Sequence, residues 1–229
     1  MSRLDKWVQM PTGWIHKPCN VLPQIKWHGD AKSNYTAALM VYISLCHRVK
    51  RVENESTDTK GFCKVSYDVL ENATGLSRSK VSAGLKLLQK FNLIKKLEGY
   101  SKYILCNYGV AGQWCKVPVK DLYDKKGQRF FPFHGLKLRS KVELNALKVY
   151  LVIAAFRSEK LNATHLSYSK LEQYSGVHRA DIKSALSLLV TLHLLQVESL
   201  ETELNDHSRH NVYRLTYIDE RLHRGNTPS

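Results

Sequence analysis

The chain has 229 residues and a formal net charge of +15, with 35 Lys and Arg against 20 Asp and Glu. An apolar content of 43% belongs to a folded chain rather than a disordered one, and the excess of cations points to a polyanionic partner. The amino terminus is polar, without the apolar stretch of a secretory signal, and the longest apolar run, Val149 to Phe156, is too short for a bilayer, so a cytoplasmic protein without a membrane partner is expected.

In chain order, a lead-in segment around Trp7-Val8-Gln9-Met10-Pro11 precedes a helix that Ser33 or Asn34 can cap and that runs to about Arg48. Ala38, Leu39, Tyr42, Leu45 and Cys46 fall at helical spacing and give that helix one buried face. Residues 52–60 are polar and aperiodic and read as a loop, and Phe62 to Val65 as a short strand. Ser66 can cap a second helix, with Asp68 in its first turn where the helix dipole favours an anion. Gly75 suits the left-handed residue that closes it, and Ser77 opens a third helix whose apolar positions are Val81, Leu85 and Leu88. After Leu93-Ile94 the spacing predicts a hairpin turning at Gly99-Tyr100-Ser101 and returning through Tyr103-Ile104-Leu105.

The plan then runs a second time. Val65 to Ile94 lies without a gap on Leu166 to Leu195, a shift of 101 positions, pairing Ser66 with Ser167, Glu71 with Glu172, Gly75 with Gly176 and Arg78 with Arg179. Trp7 to Pro11 is echoed by Trp114 to Pro118, and Ala38 to Tyr42 by Ala146 to Tyr150. Such a repeat marks one folding unit used twice. The expected architecture is mainly α with small β-hairpins, an α+β class, as two tandem winged helix–turn–helix domains. The first covers 1–112, a basic connector 113–141 leads into the second, and the second covers 142–229, with a first helix from about Lys141 to Arg157, a third from His178 to Leu192, and a hairpin from Leu195 to Tyr217. Net charge falls from +9 (17 − 8) through +6 (8 − 2) to zero (10 − 10) across these three stretches.

A helix fits the major groove of duplex DNA, and its amino-terminal turn reaches base edges. With Val81, Leu85 and Leu88 turned inward, the expected DNA face of the third helix is Ser77, Arg78, Ser79, Lys80, Ser82 and Lys86, with Arg78 placed for guanine and Lys80 and Lys86 for phosphates. The first hairpin adds Lys95, Lys96, Tyr100 and Lys102. The matching set in the second unit is His178, Arg179, Lys183 and Ser187, with Asp181 in the first turn and Arg209 and His210 on the hairpin. In the connector, Lys125, Lys126 and Arg129 alternate with Phe130, Phe131 and Phe133, and two readings stay open: a strip that neutralises phosphates, or a solvated loop with aromatics packed between the units.

Five cysteines occur without any Cys-x-x-Cys spacing, and His16-x-x-Cys19 and Cys46-His47 lack the usual two-and-two zinc pattern, so buried thiols and no metal or cofactor are expected. No phosphate loop, H-E-x-x-H or G-x-S-x-G motif is present, and no enzymatic activity is expected.

The aromatic-x-x-Val-Pro lead-in, the Ala-Leu-x-Val-Tyr helix and the run Val-Ser-Tyr…Gly-Leu-Ser-Arg-Ser-Lys-Val…Leu-x-x-Leu…Leu-Ile resemble the winged-helix units of plasmid and phage replication proteins, and are similar to winged-helix transcription regulators of mobile elements. The resemblance implies sequence-specific duplex-DNA binding in replication initiation or transcriptional control. It further implies that one unit can pair with a second copy or with replication or transcription proteins while the other binds DNA repeats. The alternative is a non-catalytic assembly protein whose two units contact other proteins, with loose nucleic-acid affinity.

Overall fold

The computed structural model describes residues 4–29, 32–49, 60–200 and 210–218. It is a mixed α/β fold with seven α-helices and three small antiparallel sheets among the described residues. The first half contains β1 (Trp7–Pro11), α1 (Lys32–Cys46), β2 (Phe62–Lys64), α2 (Tyr67–Thr74), α3 (Arg78–Lys90), β3 (Ile94–Lys96) and β4 (Lys102–Leu105). The second contains β5 (Trp114–Pro118), the one-turn α4 (Phe131–His134), α5 (Lys141–Ala155), β6 (Thr164–His165), α6 (Tyr168–Ser175), α7 (Arg179–Thr191), β7 (Leu195–Leu200) and β8 (His210–Leu215). Each half closes its hairpin into a three-stranded sheet, ordered β2-β4-β3 and β6-β8-β7.

Local signals place the helix ends. Ser66 and Ser167 cap α2 and α6 by accepting the Val69 and Lys170 backbone N–H groups. Gly75 and Gly176 end those helices at φ 72° and 65°, in the left-handed region where a Cβ is strained. Helix α5 begins on a capping box: Ser140 accepts from Val142 N while the buried Glu143 carboxylate accepts from the backbone N–H groups of Lys137, Arg139 and Ser140.

Helix α1 departs from expectation in two ways. It starts at Lys32, so Ser33 and Asn34 sit in its first turn and do not cap it. It also has no exposed face from Thr36 to Cys46. The reason is its position: α3 packs on α1, α1 on α5 and α5 on α7, leaving the two first helices central and covered all round. The run Val149 to Phe156 is thus largely core of α5.

One continuous apolar core joins the halves, with Leu39, Tyr42 and Leu88 in the same cluster as Leu147, Tyr150 and Leu189. Strands β1 and β5, the two lead-ins, pair antiparallel with Gln9 opposite Lys116 and Trp7 opposite Pro118. Each lead-in then crosses to the other half. Phe130 N donates to Ala73 O at the end of α2 (3.1 Å), and Asn20 Nδ2 donates to Tyr174 O at the end of α6 (2.8 Å), and residues 73 and 174 are equivalent in the repeat. The segment around residue 130 therefore seats α2, and the segment around residue 20 seats α6. Connector residues Tyr123, Phe130 and Phe133 are buried against His47 and each other, whereas Phe131 is exposed. Cys46, Cys63 and Cys115 are buried, and burial pushes the Cys63 and Cys115 thiols up to about 12.

Candidate nucleic-acid interface

Helix α3 presents a polar face because its apolar stripe is used on α1: Val81, Leu85 and Leu88 are buried, Arg78, Ser79 and Lys86 are exposed, and Ser82 is half-buried. Ser77 is the N-cap, its hydroxyl accepting from Lys80 N at 3.4 Å. Lys80 departs from the expected phosphate-facing set. Its ammonium donates to Ser33 Oγ at 2.6 Å and Asn34 Oδ1 at 2.7 Å, on the flank that meets α1. A lysine one position before the buried Val81 points along the helix–helix seam, and two polar side chains in the first turn of α1 hold it there. The Arg78 guanidinium lies over the Tyr67 ring, 5.0 Å from its centroid, and its Nη1 donates to Asp68 Oδ1 at 2.9 Å and reaches Glu71 Oε2 at 3.5 Å.

The hairpin beside this helix turns through Gly99 at φ 87° and Ser101 at φ 61°. Between them Tyr100 is 94% exposed, a large ring with no packing of its own. Lys95 and Lys96 are exposed and Lys102 is half-buried. An open groove of about 460 Å³ separates hairpin from helix start, lined by Tyr67, Asp68, Arg78, Lys96 and Tyr100 among others.

In the second half, His178 is the N-cap of α7, its Nδ1 accepting from Ala180 N at 3.3 Å. Arg179, Lys183 and Ser187 are exposed along the outer face. Asp181 bonds the Lys141 ammonium at 2.7 Å, so its charge is met by a partner on α5. Arg209 lies outside the described residues, and His210 begins β8.

The connector's residues divide between core and surface. Tyr123, Phe130 and Phe133 are core and Phe131 is exposed, while Lys125, Lys126 and Arg129 are exposed on the turn between Tyr123 and Phe130. Asp124 folds that turn by accepting from Gln128 N (2.7 Å) and Arg129 N (3.3 Å), and the Gln128 bond, with that of Arg129 and the nearby Arg129 and Lys126 charges, holds its carboxyl below the usual range. Arg48, Lys120, Lys125 and Lys126 border one open cavity of about 460 Å³ beside α2. Lys120 belongs to the basic connector, but Arg48 was not expected there, because the crossing of the lead-in brings it to the connector and no local spacing records it.

No protein-family profile matches the chain, and comparison with curated proteins yields no match. Among the described residues, no helix is long and apolar enough to cross a membrane, and no group of three or more His, Cys, Asp or Glu could hold a metal ion.

Proposed function

We propose that this chain is a sequence-specific duplex-DNA-binding protein of two winged helices, serving replication initiation or transcriptional regulation on a plasmid or phage-type element in the cytoplasm, without a catalytic step or cofactor. The observation that carries the reading is an exposed arginine at a helix start, Arg78 or Arg179, in each of two repeated runs of helices followed by paired strands, on a chain of net charge +15. In this reading α3 enters the major groove, Arg78 takes a guanine edge, and Lys86, Lys95 and Lys96 meet phosphates, which set register and affinity without carrying sequence. The exposed Tyr100 reaches the sugar–phosphate backbone or the minor groove, and Lys125, Lys126 and Arg129 add phosphate contacts beside α2.

A second reading is favoured by one feature. The second half is neutral over 142–229, so α7 gains little from charge alone against DNA. That half then contacts protein, either a second copy or a replication or transcription protein. The test compares Arg78→Ala/Lys86→Ala with Arg179→Ala/Lys183→Ala on a duplex enriched from a random library by the full chain. The first pair is expected to weaken binding by about 2–4 kcal/mol and the second by about 1 kcal/mol. Equal losses would make the two halves equal readers, and no enriched duplex would remove the DNA reading.

A further inference from the structure

Arg78 is held in a way that its counterpart Arg179 is not. Both acids that reach the Arg78 guanidinium take the same nitrogen, Nη1: Asp68 at 2.9 Å and Glu71 at 3.5 Å. Tyr67 lies under the plane of the group. Among the described residues Nε and Nη2 have no partner, and the side chain remains 66% exposed. The Nε–Nη2 edge is a pair of parallel N–H donors, the geometry that meets O6 and N7 of guanine in the major groove. A carboxylate behind Nη1 and a ring beneath fix that edge before DNA arrives, so rotamer freedom is given up in folding rather than in binding.

The helix dipole accounts for an acid in the first turn of α2, but an exposed one there carries a cost toward DNA. Asp68 is exposed at the start of α2, next to the helix expected to approach phosphates, where a negative charge repels DNA. The repeat supplies a control inside the same chain. Ser169 stands where the first half has Asp68, and its Oγ is 3.4 Å from Arg179 Nη1. Glu172, the counterpart of Glu71, accepts the Arg179 backbone N–H at 3.1 Å. No carboxylate bonds the Arg179 guanidinium among the described residues.

We propose that Asp68 is a positioning residue for sequence reading, holding Arg78 by Nη1 so that its Nε–Nη2 edge takes a guanine bidentately, while Arg179, lacking that carboxylate, discriminates less. The inference rests on the DNA-binding reading above. Asp68 touches no base; it acts through Arg78.

The experiment uses the full chain, the duplex it enriches from a random library, and a random duplex of equal length. Dissociation constants for both are measured with the wild type, Asp68→Asn, Asp68→Glu, Arg78→Ala and Asp68→Asn/Arg78→Ala, with melting temperature followed in parallel. Asp68→Asn is expected to weaken the enriched duplex and leave the random one equal or tighter, lowering their ratio about tenfold, within the range of one bidentate contact. Asp68→Glu restores much of the ratio, and Asp68→Asn changes nothing further once Arg78 is alanine. Ser169→Asp is expected to raise the ratio, a gain that no folding defect imitates. If Asp68→Asn tightens both duplexes equally, Asp68 is a competitor of DNA for Arg78 and the proposal falls. If it moves only the melting temperature, Asp68 is a tie between α2 and α3 and the proposal falls. Absence of any enriched duplex overturns the DNA reading itself and the clamp with it, whereas an enriched duplex with an unchanged ratio overturns the clamp alone.

Discussion

The two halves build the same bond between their first and third helices with opposite chemistry. In the first, Lys80 on α3 donates to Ser33 and Asn34 on α1; in the second, Asp181, at the equivalent place on α7, accepts from Lys141 on α5. The position requires a polar tie across a helix pair, and either sign of charge supplies it. A charged side chain near the start of such a helix is therefore no guide to DNA contact until its partners are known: Lys80, expected on phosphates, is held on α1 instead. The crossing lead-ins show the same substitution of means. Where the first crosses, Pro23 abuts Gly176; where the second crosses, His134 abuts Gly75.

That second contrast gives the largest expected effect. A Cβ at Gly176 would stand 2.7 Å from the Pro23 Cα, a backbone atom, whereas at Gly75 it would meet the His134 ring at 3.1 Å, a side chain that can turn aside. Both positions have positive φ, so alanine costs about 1–2 kcal/mol at each from backbone strain alone. Gly176→Ala should add about 1–3 kcal/mol of overpacking. Chemical denaturation of the two variants measures the difference, and equal losses would mean that the two crossings yield alike.

The crossing contacts also differ in charge, and pH can separate them. His47, 4% exposed, lies at 3.1 Å from the Tyr123 hydroxyl, and burial, aided by Arg48, lowers it to about 3. Below pH 6.5 the unfolded chain takes up a proton there that the folded one refuses, so stability should fall by about 1.4 kcal/mol per pH unit down toward that value. His47→Gln should flatten this limb between pH 6.5 and 5. Lys148, 2% exposed, donates to Ile25 O at 2.8 Å, and burial, with Lys26 and Lys141 nearby, lowers it to about 8. Between pH 8 and 10.5 the unfolded chain binds more protons, so stability should rise with pH across that window. The first half has the buried Met40 at this place. Lys148→Met removes a desolvation cost of roughly 3 kcal/mol but orphans a carbonyl worth about 1–3 kcal/mol, for a net gain of about 1 kcal/mol at pH 7 and no rise above pH 8. A net loss of several kcal/mol would mean that the bond to Ile25 outweighs burial.

The smallest effect concerns the helix tie itself. Lys141→Ala breaks an exposed ion pair and should cost about 0.5 kcal/mol or less in stability. Its use is on the DNA side, since an unpaired Asp181 should weaken phosphate contact by the second half alone. Unchanged affinity would place α7 away from DNA.

Much of the local structure was legible in the sequence. Ser66, Gly75 and Ser77 mark a helix end, a turn and a helix start by chemistry confined to a few neighbouring residues, and the repeat at residues 166–195 states the same thing again. The capping box at Ser140 and Glu143 has the same local character, a Ser three residues before a Glu, but only the structure shows it. The exposed faces of α3 and α7 followed from their apolar stripes, because a stripe used on one side leaves the other to solvent. What only the tertiary structure decided is which partner each polar side chain found. Arg78 with Asp68 and Lys80 with Ser33 depend on how α2 and α1 stack against α3, and Arg48 and Lys120 on one cavity depends on a lead-in that crosses to the other half. Helix periods and caps are set within one or two turns, so sequence carries them; a hydrogen bond across tens of residues depends on how whole elements stack, and spacing along the chain does not encode it.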